Sequence, residues 1–275
     1  MKTQLYDLIG DIHGHHDKLT NLLTKLGYRP NGKSFHHAEG RQVIFLGDYI
    51  DRGPKIREVL HTVRAMVEAG DALAIMGNHE FNAVAFHTPD GKGGYLREHS
   101  ERNVRSHSAT LTAFDGRAAE WEEWIEWFKH LPMYLDLGEL RAVHAAWDER
   151  YVDMLSGTPL VNDAFLLAAA TKGTPEYAAV EIMLKGPEMM LPDGLFFQDK
   201  DGIHRNMIRV RWWALKEGEA IETLAMPEPM AASFGRLTAD QLNDLPNYPA
   251  DAVPVFFGHY WLPTHWKRAP LATNI

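Results

Sequence analysis

The chain contains no cysteine. Disulfides and thiolate metal sites are therefore excluded, and any metal must sit on oxygen and imidazole ligands. A cysteine-free chain suits a reducing compartment, so the expected location is cytoplasmic. No apolar run approaches the roughly 20 residues that cross a bilayer, so no membrane partner is expected. The opening stretch, MKTQLYDLIG, lacks the apolar core of a signal peptide and runs straight into a strand pattern. Dense Lys/Arg blocks are missing too, and the net charge is −9. That balance argues against nucleic acid as a partner, because a nonspecific hold on it needs a basic surface. It leaves a local basic groove open.

What is present is a chain of 275 residues, 45 % hydrophobic, enough for a sizeable core. We read one domain over residues 1–275. Tyr6 to Ile9 predicts a strand ending at GDIHG, and Leu19, Leu22, Leu23 and Leu26 follow with helical spacing. Gln42 to Leu46 predicts a second strand, ending at GDYIDRG. Ile56, Val59, Leu60, Val63 and Val67 then mark a helix, with Pro54 placed for its first turn. Ala72 to Met76 is a third strand, ending at GNHE. Strand, polar turn and helix in repetition predict a parallel α/β arrangement.

Trp121, Trp124, Ile125 and Phe128 recur at helical spacing and read as a core-facing stripe. Leu140 to Val143 is a fourth strand, ending at His144, and Val253 to Phe257 a fifth, ending at GHYW. Residues 150–250 lie between them and read as an elaboration of the same domain. They include helix-like AFLLAAATKG and YAAVEIMLKG, then a hairpin, LFFQDKDGIHRNMIRVRWW, turning near Asp201-Gly202.

Five strands thus end in Asp11/His13, Asp48/Asp51/Arg52, Asn78/His79, His144 and His259. Ligands of open α/β sheets bind beyond the carboxyl ends of strands. One Gly-Asp after a strand is usually an ordinary turn. Five such turns would leave many polar groups gathered without a partner, unless a cation answers them. Oxygen and imidazole donors without thiolate suit Mn, Fe, Zn or Mg, and the expected cofactor is a pair of divalent ions, with Mn first and Fe, Zn, Ni, Co or Mg as alternatives.

GDIHG, GDYIDRG, GNHE, VHAAW and GHY together resemble the motif set of the calcineurin-like metallophosphoesterases, and more narrowly their phosphoprotein-phosphatase branch. The resemblance implies an α/β/β/α sandwich with two central mixed sheets flanked by helices. It implies two metals, one on Asp11, His13 and Asp48, the other on Asp48, Asn78, His144 and His259, with Asp48 as bridge. A bridging hydroxide would attack phosphorus in line. His79 would donate a proton to the leaving group, Asp51 would hold that imidazole, and Arg52 would clamp phosphate oxygens beside Asn78 and His79. The wider superfamily often ends in GHxH, whereas position 261 here is Trp, as the narrower branch would have it.

Candidates for a second phosphate-binding cation are Arg209, Arg211 and Lys185, against an ordinary hairpin or surface role for each. Further histidines, among them His15, His16, His36, His37, His87, His99 and His107, read as surface residues or as supports behind the site. The leading functional expectation is a phosphatase of small or protein phosphomonoesters. A dinucleoside polyphosphate hydrolase (diadenosine tetraphosphate) would use the same residues, a nucleic-acid phosphatase or nuclease ranks third, and a non-catalytic metal- or phosphate-binding module is the alternative from another class. The resembled family usually continues with further strands after GHY, whereas LPTHWKRAPLATNI is too short and Pro-interrupted to supply two. The expectation is a smaller second sheet or a truncated chain. Nothing in the sequence fixes an oligomeric state.

Overall fold

Apolar runs followed by polar turns become strands followed by helices. β1 (Tyr6–Ile9) leads to α1 (His16–Lys25), and a hairpin of β2 (Tyr28–Asn31) and β3 (Ser34–His37) returns the chain to β4 (Gln42–Phe45). Then come α2 (Ile56–Glu68), β5 (Ala72–Ala74), α3 (Asn78–His87), α4 (Glu101–Ala113) and α5 (Ala118–Lys129). β6 (Tyr134–Asp136) and β7 (Arg141–Val143) form an antiparallel pair. The long elaboration holds α6 (Asp163–Ala169), α7 (Pro175–Lys185), β8 (Glu188–Met190), β9 (Phe197–Gln198), β10 (His204–Arg205), β11 (Met207–Arg209), α8 (Ile221–Leu224) and α9 (Ala239–Asn243). β12 (Val255–Phe257) ends the series. This computed structural model describes residues 4–192, 194–198, 204–226 and 233–262. The expected turn at Asp201-Gly202, most of the MPEPM stretch and the tail from 263 fall outside those residues.

β1, β4 and β5 form a sheet in the order β1-β4-β5, parallel throughout, and β12, β7 and β6 form a second in the order β12-β7-β6. β12 runs parallel to β7 while β6 runs antiparallel. Of the two sheets expected to be mixed, only the second mixes directions among the described residues. β12 lies at its edge there.

The alternation along β4 explains why the sheets stack. Val43 and Phe45 belong to the cluster that includes Leu19 and Leu23 of α1, Val59 and Val63 of α2, and Trp124 and Phe128 of α5. Ile44 and Leu46 belong to an inner cluster with Ile75 and Ala142, surrounded by Leu8, Leu73 and Leu135 from both sheets. A strand apolar on both faces needs cover on both. Helices cover one face, and the second sheet covers the other. The result is the layered α/β/β/α architecture, and it brings the carboxyl ends of β1, β4 and β5 together with those of β7 and β12.

The Trp stripe is core, with Trp121, Trp124 and Phe128 buried. The elaboration differs in pairing. β9 and β10 pair as the expected hairpin, but β11 pairs with β8 instead. That pairing places Met189 and Ile208 in an apolar cluster with Ile221, Leu224 and Phe234. Among the described residues, no helix is long and apolar enough to cross a membrane.

Candidate active site

Backbone conformation marks the site before any side chain is considered. Among the described residues, the non-glycine positions with positive φ are His13, Asp48, Asp51, Arg52 and His259, at 46°, 55°, 66°, 64° and 63°. Each left-handed L-residue costs roughly 1–2 kcal/mol. All five sit in the strand-end motifs. Such strain persists only where the surroundings enforce it, and it gathers at functional sites.

The enforcement is visible. Glu80, fully buried on α3, accepts hydrogen bonds from the backbone N–H of Gly77, Asp48, Tyr49 and Ile50, at 3.0, 2.9, 2.8 and 3.3 Å. One carboxylate thereby ties the β4 turn to the start of α3. His13 N–H and Ile12 N–H both donate to Asp48 O, at 2.8 and 3.0 Å, which ties the β1 turn to the same loop. A Cβ on Gly77 would collide with the N and Oδ1 of Asp48, so the close approach requires glycine there.

The side chains converge on Asp48. His13 Nδ1 donates to Ile50 O at 2.8 Å, and His144 Nδ1 donates to Leu46 O at 2.6 Å. A carbonyl can only accept, so both neutral rings carry their proton on Nδ1 and turn a lone pair inward from Nε2. His13 Nε2 lies 3.6 Å from Asp48 Oδ2 and 3.8 Å from Asp11 Oδ2, buried and without a hydrogen-bond partner. His144 Nε2 lies 3.4 Å from Asp48 Oδ1 and 3.1 Å from Asn78 Oδ1. His259 Nδ1 lies 2.8 Å from Asn78 Oδ1, and His259 N–H donates to Asp11 Oδ1 at 2.9 Å. Ligand atoms of Asp48, His144 and His259 lie within 4.8 Å of one another, as do those of His13, Asp48 and His79.

This donor set fits divalent cations. Lone pairs and carboxylate oxygens face one another across a buried space, and imidazoles anchored by Nδ1–H to carbonyls are the usual arrangement behind metal ligation. Burial would raise the Asp48 carboxyl, but the rings of His144, His79 and His13 outweigh it and hold it well below the usual range. Burial would lower His144, yet Asp48 raises it to about 9. A metal ion would compete with that proton for the same lone pair.

A second constellation adjoins the first. Asp51 Oδ2 accepts from His79 Nδ1 at 2.5 Å, and Asp51 Oδ1 accepts from His107 Nδ1 at 2.9 Å and Thr110 Oγ1 at 2.5 Å. Burial opposes its charge, but these bonds depress the Asp51 carboxyl strongly. Burial would likewise lower His79, but the Asp51 hydrogen bond and the Asp48 charge raise it above its ordinary value. Arg52 Nη2 lies 3.5 Å from His79 Nε2, and its guanidinium lies 5.7 Å from the Trp261 ring.

All nine side chains singled out at the five strand ends are thus gathered at one edge of the fold. Of the three extra cations, Arg209 Nη1 lies 3.2 Å from His259 Nε2, and Lys185 lines the adjoining cavity, which Arg211 does not among the described residues. Thr110 and Glu80 are supports that sequence reasoning did not assign, and His107, which it left open between a surface residue and a support behind the site, holds Asp51. Glu80 stands inside GNHE, and its place three residues after Gly77 is the helix-capping spacing that could have found it.

The calcineurin-like phosphoesterase family profile matches residues 6–260. The asymmetrical bis(5'-nucleosyl)-tetraphosphatase PrpE of Bacillus subtilis strain 168 is 32% identical over 142 residues, which cover 51% of this chain and 57% of that protein. Its namesake from Halalkalibacterium halodurans is 45% identical over 74 residues, 27% of this chain and 30% of that protein. The matched stretches therefore span little more than half the length of these curated relatives, or less. A solved serine/threonine phosphatase from Saccharomyces cerevisiae is 19% identical, with a TM-score of 0.35, covering 51% of this chain and 38% of that one, a likeness too slight to argue from. The profile, in contrast, runs from the first strand through the last polar turn and takes in every motif that meets at Asp48, so this chain belongs to the calcineurin-like phosphoesterase family.

Proposed function

We propose that the chain is a metal-dependent phosphoesterase that hydrolyses phosphate monoesters. The observation that carries this reading is the pair of imidazole lone pairs, His13 Nε2 and His144 Nε2, held by backbone carbonyls to face Asp48. In this reading Asp11, His13 and Asp48 hold one divalent ion, and Asp48, Asn78, His144 and His259 hold another, with manganese the first candidate. Two such ions would supply a water nucleophile at neutral pH and polarise the phosphoryl oxygens.

The chain's own residues do the rest. Arg52 presents a planar fork to two phosphate oxygens. His79 holds a proton on Nε2, facing the cavity, and gives it to the departing oxygen. Asp51 keeps the His79 ring in one orientation throughout, because the Nδ1–H bond survives the transfer. His107 and Thr110 fix Asp51 in turn. Arg209, beside His259, adds a second cation for the phosphate. The proposal places the enzyme in the cytoplasm, where a chain without cysteine needs no disulfide.

A second reading, hydrolysis of a dinucleoside polyphosphate, uses the same side chains. It is supported by the curated relatives, which carry that activity in their names. The two are separated by assaying p-nitrophenyl phosphate, a phosphopeptide and diadenosine tetraphosphate after chelation and metal add-back. The core proposal is tested by Asp48→Asn. One charge serves both ions, so elemental analysis should find both metals depleted and turnover lost, with the circular dichroism spectrum kept. A variant that retains two metals per chain and near-normal turnover would sink the assignment.

A further inference from the structure

A cavity of about 800 Å³ adjoins the site, walled by α3, α4 and the end of α7. Six cations line it, Arg52, Arg97, Arg102, Arg105, Lys185 and Arg209, and no acidic residue does among those described. This is unexpected on a chain of net charge −9. Three of the six have an account already. Arg52 is the proposed clamp on the scissile phosphate, Lys185 pairs with Glu181, and Arg209 pairs with Glu188 at 3.1 Å.

Arg97, Arg102 and Arg105 have none. Arg97 donates to Asn82 Oδ1 and Asn103 Oδ1, both at 2.9 Å, so neutral amides hold it and no carboxylate forms an ion pair with it among the described residues. Burial lowers its guanidinium and, although Glu181 opposes this, the like charge of Arg102 adds to the lowering. Arg102 and Arg105 are three residues apart on α4, where like charges are neighbours and repel. Neither makes an ion pair among the described residues. Arg97 is partly buried, whereas Arg102 and Arg105 are exposed and screened by water, but six cations around one cavity with no acidic lining residue among those described make it a place that attracts an anion.

We propose that Arg97, Arg102 and Arg105 form a subsite for the phosphates of a linear oligophosphate beyond the one being cleaved. Position supports this. Asn82, which anchors Arg97, follows Asn78 by one turn of α3, a step of roughly 5–6 Å. The subsite is therefore within reach of a neighbouring phosphate of the same chain. The lining supports it too, since Ala109 is the one apolar residue among those described and offers a peptide side chain little to bury against. The inference rests on the metal-dependent phosphoesterase reading and, within it, favours the second reading, a substrate carrying consecutive phosphates, over a simple monoester.

The test is calorimetric binding of tripolyphosphate and orthophosphate, with magnesium in excess of ligand, to the full chain and to Arg102→Ala and Arg105→Ala. Tripolyphosphate should bind more tightly than orthophosphate. Each variant should weaken tripolyphosphate roughly tenfold, the effect of one lost charge-assisted hydrogen bond, and orthophosphate far less. In parallel, kcat/KM for diadenosine tetraphosphate should fall relative to that for p-nitrophenyl phosphate. A loss shared with diadenosine tetraphosphate marks a nucleoside polyphosphate, and a loss confined to tripolyphosphate an inorganic chain; either supports the subsite. Equal weakening of both phosphates, or a doubly phosphorylated peptide that binds better than tripolyphosphate, overturns it. Binding decides the subsite even if no substrate is turned over, an outcome that would instead count against the phosphoesterase reading.

Discussion

His79 lies 2.5 Å from Asp51 and faces the same cavity as Arg52. If it protonates the leaving group, its worth depends on how badly that group needs a proton. His79→Asn should lower turnover by roughly 10²–10⁴-fold for an alkyl phosphate, the usual share of general acid catalysis. The loss should shrink for p-nitrophenyl phosphate, whose leaving group departs as a stable anion. Equal losses on the two substrates would remove His79 from the acid role. This residue was legible in the sequence because it follows Asn78 within one short motif. His107 and Thr110 were not, because their partner Asp51 is 56 and 59 positions away, and only the packing of α4 brings them to it. A histidine spaced so far from its partner looks the same as one on the surface.

At the level of elements, motifs such as GDIHG and GNHE show that a strand ends and a polar turn follows. They do not show which glycine is indispensable. A Cβ on Gly10 would meet nothing within 4 Å, whereas one on Gly77 would press against the Asp48 backbone and the Glu80 carboxylate. Gly77→Ala should therefore force apart the β4 turn and the start of α3, at about 1–3 kcal/mol for an overpacked site, and lose metal and activity together. Gly10→Ala should keep its melting temperature. Thermal denaturation of the two variants checks the contrast, and similar shifts for both would refute it. The β2–β3 hairpin shows the opposite problem. Asn31 pairs with Ser34, so Gly32-Lys33 is the two-residue loop, and Gly32 takes φ of 62° at its first position, as a Gly-X type II′ turn requires. Pro30 masks that signal, since proline is confined to edges and bulges and breaks the strand pattern around it. The swap of β11 to β8 was also beyond the sequence, because either partner satisfies its backbone and only the apolar cluster around Ile208 chooses between them.

For the whole molecule, we propose that the described residues fold as one unit, with the elaboration built onto the sandwich. Trp212 Nε1 donates to Ala145 O at 3.0 Å, and Ala145 N–H donates to Met183 O at 2.9 Å, which ties α7 and the stretch after β11 to the β7 turn. The stability of such a unit should depend on pH through groups outside the metal ligands. His87 is one. Burial, then the neighbouring His107 and His99, push its imidazole down to about 4 from the ordinary 6.5. Its ring packs edge-on against Trp121, and Nε2 is buried without a hydrogen-bond partner. The unfolded chain therefore takes up a proton there more readily than the folded one. The stabilisation is complete above about pH 6.5 and is lost as pH falls towards about 4. His144, raised to about 9, acts in a separate window, because its contribution is full below 6.5 and fades only as pH rises through 9. Asp51, held strongly down, yields only at still lower pH. Between pH 6.5 and 4, then, His87 is the group outside the metal ligands whose charging opposes the fold, while buried Glu80, raised to about 7, acts in the opposite direction as it takes up its proton. His87→Leu removes the proton-binding site and keeps an apolar contact with Trp121. Its melting temperature relative to the parent chain should rise steadily as pH is lowered from 7 to 4.5. Curves that run parallel over that range would show that His87 does not govern the acid sensitivity of the fold.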